Sequence, residues 1–184
     1  MFEEILSRIA RELDRDGLPY MVIGGQAVLR YGEPRLTRDI DITLGVGIEG
    51  VPRVEKVISN LNLRILVEDP DAFVRKTLVL PAQDEASGIR IDFVFSFSEY
   101  EKQAIARAAS VEMRGVPVSF ATLEDVIVHK VVAGRPRDLD DIKSIVLKNP
   151  GYDSQYIERW LQEFDRSLAE DHLAVFRGLV DELK

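Results

Sequence analysis

The chain has 184 residues, 46% apolar and 30% charged, the composition of one globular domain or of one domain with a small helical annex. Its 24 Lys and Arg face 32 Asp and Glu, a formal charge of −8 that argues against gripping nucleic acid with the whole surface. No cysteine is present, which excludes disulfides, thiolate catalysis and Cys-type zinc sites. No apolar run approaches the ~20 residues of a membrane span. Met1, Phe2, Glu3 and Glu4 lack the basic and apolar regions of a secretory signal, so a cytoplasmic location is expected.

Phe2, Ile5, Leu6, Ile9 and Leu13 recur at helical spacing and predict an opening helix that ends at Asp16 and Gly17. A strand is expected at 20–23, then the pair Gly24 and Gly25, then a short helix reaching Tyr31 and Gly32. The next strand holds Asp39 and Asp41. Residues 45–52 read as a loop, 53–60 as a helix with Val54, Val57 and Ile58 on one face, and 63–67 as a strand. Glu68 to Asp71 form a turn that opens a short helical stretch. Strands at 78–80 and 89–97, with a turn at 83–88, predict a hairpin. A helix is expected over 99–109, then a turn from Met113 into a short strand ending at Phe120. Pro117 would confine that strand to an edge, or itself to the strand's first residue. Thr122, with Asp125 three residues on, caps a helix that runs to Ala133 and is broken by Gly134 and Pro136. A further helix spans 138–147 and stops at Asn149, Pro150 and Gly151. The tail reads as two amphipathic helices, one on Ile157, Trp160, Leu161, Phe164 and Leu168, the other on Leu173, Phe176, Leu179 and Val180. This order predicts an α+β fold, with a mixed β-sheet flanked by helices over 1–120 and a C-terminal helical segment over 121–184.

In an extended chain residues i and i+2 face the same way. Asp39 and Asp41 therefore project together, about 6–7 Å apart along the backbone, while Ile40 and Ile42 anchor the strand from behind. Two carboxylates on one rigid edge can share or divide Mg²⁺ (or Mn²⁺), which favours oxygen ligands and phosphates. A third carboxylate, Asp92, lies mid-strand opposite the face of Ile91, Phe93 and Phe95. An aspartate there is unfavourable unless a metal ion, or a neighbouring arginine such as Arg90, offsets its burial. Gly24 and Gly25 let backbone approach a phosphate closely, and helix-start amides favour anions. Three aspartates from two strands suit two ions about 3.5–4 Å apart. Lys130, on a helix with Ile127, Val128, Val131 and Val132, is expected to reach toward an anion. His129 reads as an ordinary surface or half-buried histidine and Trp160 as core or interface. Arg137 and Asp141, spaced i and i+4, pair with each other as simply as they serve a site.

Gly24 and Gly25, the run Arg35-x-Thr37-x-Asp39-Ile40-Asp41, and Ile91-Asp92-Phe93 together resemble the nucleotidyltransferase superfamily that includes polymerase β. The stretch 123–142 is similar to its AbiEii/MenA-like toxin branch, where a helix lysine precedes an Arg-x-(Lys/Arg)-Asp-x-x-Asp element. The matching positions are Lys130, Arg135, Arg137, Asp138 and Asp141. The resemblance spans residues 18–147 and implies a nucleotidyltransferase-type sheet. It also implies Mg²⁺- or Mn²⁺-dependent transfer of NMP from an NTP to a hydroxyl, with release of pyrophosphate. By this resemblance Asp39, Asp41 and Asp92 are the catalytic metal ligands and Gly24, Gly25, Lys130 and Arg137 the nucleotide contacts. Arg35, Thr37, Asp138 and Asp141 are supporting residues. The implied acceptor is the 3′ end of tRNA, with a protein or a small molecule as alternatives and a cognate antitoxin as a toxin's partner; the base, ATP or CTP among others, is left open. Two other readings stand beside it. One is a non-catalytic nucleotide-binding or partner-binding relic of the same fold; the other is a glycosyltransferase using Asp-x-Asp with a metal–nucleotide sugar, which gives no reason for the glycine pair.

Overall fold

The computed structural model describes residues 1–96 and 98–183. Its elements run α1 (Phe2–Arg15), β1 (Tyr20–Ile23), α2 (Gly24–Tyr31), β2 (Asp39–Leu44), a 3₁₀ turn (Ile48–Gly50), α3 (Val51–Asn60), β3 (Arg64–Ile65), α4 (Pro70–Thr77), β4 (Val79–Asp84) and β5 (Ile89–Phe95). They continue as α5 (Glu99–Ala106), β6 (Ala109–Met113), β7 (Val116–Phe120), α6 (Leu123–Ala133), α7 (Pro136–Lys148), α8 (Ser154–Leu168) and α9 (His172–Asp181). The chain divides into two compact units: Met1–Gln26 with Thr37–Ala121, and Ala27–Leu36 with Thr122–Lys184.

The first unit is α+β and holds one mixed sheet of order β3-β4-β5-β2-β1-β7-β6. β2 runs parallel to β5 and β1 parallel to β7; the remaining neighbours are antiparallel. Strand alternation decides what each face carries. Ile40, Ile42 and Leu44 of β2 and Ile91, Phe93 and Phe95 of β5 share one face and are buried. Val22 of β1 and Leu80 and Ala82 of β4 join them in register. Helix α1 buries the stripe Ile5, Leu6, Ile9, Ala10 and Leu13 and touches β6 and β7. α3 buries Val51, Val54, Val57 and Ile58 and meets α1. Each large side chain on this face contributes about 1.5–3 kcal/mol relative to exposure, so the opposite face of β2 and β5 is free to carry charge.

Several boundaries differ from expectation for physical reasons. The loop expected over 45–52 contains the 3₁₀ turn and the first residues of α3, because Pro52 suits the first turn of a helix. β4 extends to Asp84, whose side chain accepts from the Ser87 N–H at 3.0 Å and closes the hairpin. The expected last residue of the next strand, Phe97, lies outside the described residues. α5 stops at Ala106, and a strand not anticipated, β6, comes after it and pairs with β7 from Ala109–Phe120 to Met113–Val116. Arg114 and Gly115 form the turn between them with φ +52° and +74°. β7 is consequently internal, not an edge. Pro117 is its second residue, beyond the Val22–Phe120 pair where β7 meets β1, so its missing N–H takes nothing from that pair.

The second unit is helical. α6 begins at the Thr122 cap, whose hydroxyl accepts from the Asp125 N–H at 3.3 Å. Asp125 is fully buried and in turn accepts from the Tyr156 hydroxyl of α8 at 2.7 Å. Ile127, Val131, Ile142, Ile145, Ile157, Leu161 and Phe176 form the core of this unit. α7 starts at Pro136, two residues before the expected start, as proline favours the first helical position. Among the described residues no helix is long and apolar enough to cross a membrane.

Candidate active site

In the first unit the three aspartates share one face of the sheet. The parallel register of β2 and β5 sets Asp41 opposite Asp92 and Asp39 opposite Arg90. Alternation within each strand keeps Asp39 with Asp41 and Arg90 with Asp92, on the side away from Ile40, Ile42, Ile91 and Phe93. Asp39 is exposed and the other two carboxylates are half-buried. β1 completes the edge: Ile23 lies opposite Asp41, and the chain turns directly into α2 at Gly24. Gly24 has φ +62°, and a Cβ there would stand 1.9 Å from Oδ2 of Asp41. The Asp41 carboxylate thus rests against bare backbone at the start of a helix. Gly25 is buried beside it in sequence.

Arg90 is the counter-charge of this face. Its Nε donates to Oδ1 of Asp92 at 2.8 Å. That hydrogen bond raises the guanidinium above its ordinary value against the opposing effect of partial burial, and the charges of Asp92, Asp39 and Asp41 act in the same direction. Among the described residues no three Asp, Glu or His side chains close around one point as metal ligands do. The donor chemistry nevertheless fits a hard cation: three carboxylates on adjacent strands share one face of the sheet, and one oxygen of Asp92 is held by an arginine that stands where positive charge is favoured. Thr37, before β2, donates only weakly to the Asp39 carbonyl, at 3.5 Å.

Gln26, in the first turn of α2, escaped the sequence reasoning. It is 8% exposed, and its Nε2 is buried without a hydrogen-bond partner. Buried polar atoms in this state are few in native proteins and concentrate where strain or function is stored. The signal was present, since glutamine is the one polar residue in the apolar run from Tyr20 to Leu29.

In the second unit the motif residues of α6 and α7 form a chain of alternating charge with Arg35. Lys130, expected to reach an anionic ligand, gives its ammonium to Asp138 at 2.5 Å and to Asp141 at 2.9 Å. Asp141 also receives Arg35 through Nε at 2.8 Å and Nη2 at 3.0 Å, a two-pronged pair. Asp138 receives Arg135 Nε at 2.6 Å. Lys130, Asp138 and Asp141 are all buried. Burial pushes the Asp138 carboxyl up, but the hydrogen bonds from Arg135 and Lys130 outweigh it and leave it below its ordinary value. Arg137 is exposed and donates through Nη2 to the Leu36 carbonyl at 2.9 Å. Burial of the ring pushes His129 down to about 4, with Asp125 opposing and Lys130 adding to the shift, so its imidazole is neutral and weakly basic at pH 7.

Residues 1–171 match a family described as nucleotidyltransferase of unknown function, DUF6036. The chain belongs to the DUF6036 family. Solved structures agree on the fold. An antigenic nucleotidyltransferase-like protein from Paracoccidioides brasiliensis is similar with a TM-score of 0.58 at 14% identity, over 90% of this chain and 87% of that one. ANT(2″)-Ia in complex with adenylyl-2″-tobramycin is similar at 0.57 and 21%, over 96% and 97%. The lincosamide antibiotic adenylyltransferase LnuA, bound to lincomycin, is similar at 0.53 and 17%, over 77% and 94%. No curated protein matches the chain by sequence. DUF6036 membership makes the chain a nucleotidyltransferase-family protein.

Proposed function

We propose that this DUF6036 protein transfers NMP from an NTP to a hydroxyl acceptor and releases pyrophosphate. The observation that supports it most is the β2–β5 register, which pairs Asp41 with Asp92 on the face that also carries Asp39, directly beside Gly24. These three carboxylates are assigned to Mg²⁺ or Mn²⁺. When bound, the cation supplies positive charge against the triphosphate and makes an acceptor hydroxyl more acidic. The chain's own part is positional. Gly24 lets backbone lie against the Asp41 carboxylate, and Gly24 and Gly25 offer the first amides of α2 to a phosphate. The buried Ile40, Ile42, Ile91 and Phe93 anchor the strands from behind and keep the carboxylates oriented. In the transfer the acceptor oxygen bonds to the α-phosphorus and the bond to pyrophosphate breaks. The hydroxyl proton passes to the carboxylate of Asp92 or to water.

In the second unit we assign Lys130 to holding α6 and α7 together, because its ammonium is buried and shared between two carboxylates. Arg137, exposed at the start of α7, is assigned to an anion; Arg135 is also exposed but is held by Asp138.

The acceptor is a hydroxyl of one of two kinds. Likeness to the toxin branch points to the 3′ end of tRNA, in a cytoplasmic setting with an antitoxin partner. Two proteins of the same fold are described as adenylyltransferases or adenylyl-product complexes of antibiotics, which points to a small hydroxylated compound. The test is to incubate the protein with each α-labelled NTP and Mg²⁺ together with total RNA, a protein extract or a small-molecule extract, and to resolve the products. Label should move to one fraction with pyrophosphate release, and Asp41→Asn should cut the rate by on the order of 10³ while circular dichroism is unchanged. Undiminished turnover in Asp41→Asn would refute the assignment. Metal-dependent NTP binding with no pyrophosphate from any fraction would leave the relic reading in its place.

A further inference from the structure

Arg90 has a place in the carboxylate cluster that a pairing partner of one aspartate would not need. It sits two residues before Asp92 on β5, hence on the same face, and directly opposite Asp39 on β2. Its Nε holds Oδ1 of Asp92 at 2.8 Å, and the same register places Asp41 opposite Asp92. Its side chain is 48% exposed against 21% for Asp92. Ile89 and Ile91, on either side of it, are buried on the opposite face, so the backbone of β5 is anchored while the arginine side chain is free to swing outward.

We propose that Arg90 is the resident counter-cation of the acidic face: it holds Asp92 while no divalent ion is bound and competes with that ion for the same carboxylate oxygen. This rests on the assignment of Asp39, Asp41 and Asp92 to a divalent cation. Arg90 then sets how tightly the ion is held. A neighbouring positive charge lowers cation affinity twice, by occupying a ligand oxygen and by repelling the ion. Releasing the arginine on ion binding also returns a guanidinium to solvent at the edge of the carboxylate face. Because the pair is half exposed, both effects weaken as salt rises.

The test is direct titration of the full chain with Mn²⁺, without nucleotide, read by electron paramagnetic resonance of the free ion and by thermal unfolding. Arg90→Gln should bind Mn²⁺ about tenfold more tightly than the wild type at low salt, with the difference shrinking at high salt. The same variant should unfold at lower temperature than the wild type without metal and gain more on adding Mn²⁺. Arg90→Lys, which keeps the charge, should stay near the wild type and guards against a general effect of substitution. Equal Mn²⁺ affinity in the wild type and Arg90→Gln overturns the proposal. Asp41→Asn separates the two failures. If it abolishes Mn²⁺ binding while Arg90→Gln changes nothing, the cation site stands and the role of Arg90 falls. If Asp41→Asn binds as the wild type does, or no chain binds at millimolar Mn²⁺, both fall together.

Discussion

Gly24 and Asp41 have to be considered as a pair. The glycine has φ +62°, in the region where an L side chain is strained, and its missing Cβ makes room for Oδ2 of Asp41. Gly115 has φ +74° with open space around it. Alanine at Gly115 therefore meets only the backbone penalty, about 1 kcal/mol, whereas alanine at Gly24 must also displace a carboxylate. Gly24→Ala is expected to lower the unfolding free energy by about 2–3 kcal/mol, measured in urea. In an Asp41→Ala background the same change should cost roughly 1 kcal/mol less, since the clashing atoms are gone. Strict additivity of the two substitutions would mean that the alanine meets something else. The requirement for glycine was legible in the sequence as a strand running into a glycine pair, but its reason was not. Phosphate approach explains a glycine facing a ligand, while the structure shows one facing its own chain's carboxylate.

The α6–α7 pair shows what one buried lysine does for two helices. Lys130 satisfies Asp138 and Asp141 together, and Arg135 and Arg35 take the remaining oxygens. Lys130→Met would leave two buried carboxylates each short of a donor, a loss of about 2–4 kcal/mol in urea unfolding. The pair between Arg15 and Glu12 is the contrast: its arginine is 64% exposed, and Arg15→Ala should cost less than about 0.5 kcal/mol. A loss that small in Lys130→Met would show that the network does not hold the helices. Here the sequence was readable in type but not in connection. A lysine among valines signals an unusual environment, yet whether its partner is a ligand or a carboxylate depends on helix packing that no local pattern encodes. The same limit explains β6. The run Ala106 to Ala109 favours helix by propensity, and only pairing with β7 makes a strand of Ala109–Met113. The alternation of β2 and β5 was plain in each strand alone, because each buries one apolar face. Their register was not, because it comes from tertiary pairing.

At the scale of the whole molecule, charge limits the partners. With 24 cationic and 32 anionic side chains, any RNA acceptor must be recognised locally, not by a general electrostatic grip. A random RNA duplex should show no retention in filter binding at ~150 mM salt below about 100 µM protein; micromolar binding there would contradict the charge argument. The parallel pairing of β2 with β5 has a different consequence, in time. Asp41 and Asp92 touch neighbouring positions in the sheet but lie roughly fifty residues apart along the chain. The excursion between them comprises α3, β3, α4 and β4. Closing so distant a parallel pair is among the slower events of folding. A nascent polypeptide that has emerged only as far as β2 carries two acids without the third. On the proposed assignment the set of three carboxylates is complete only once β5 docks, and not by degrees as synthesis proceeds.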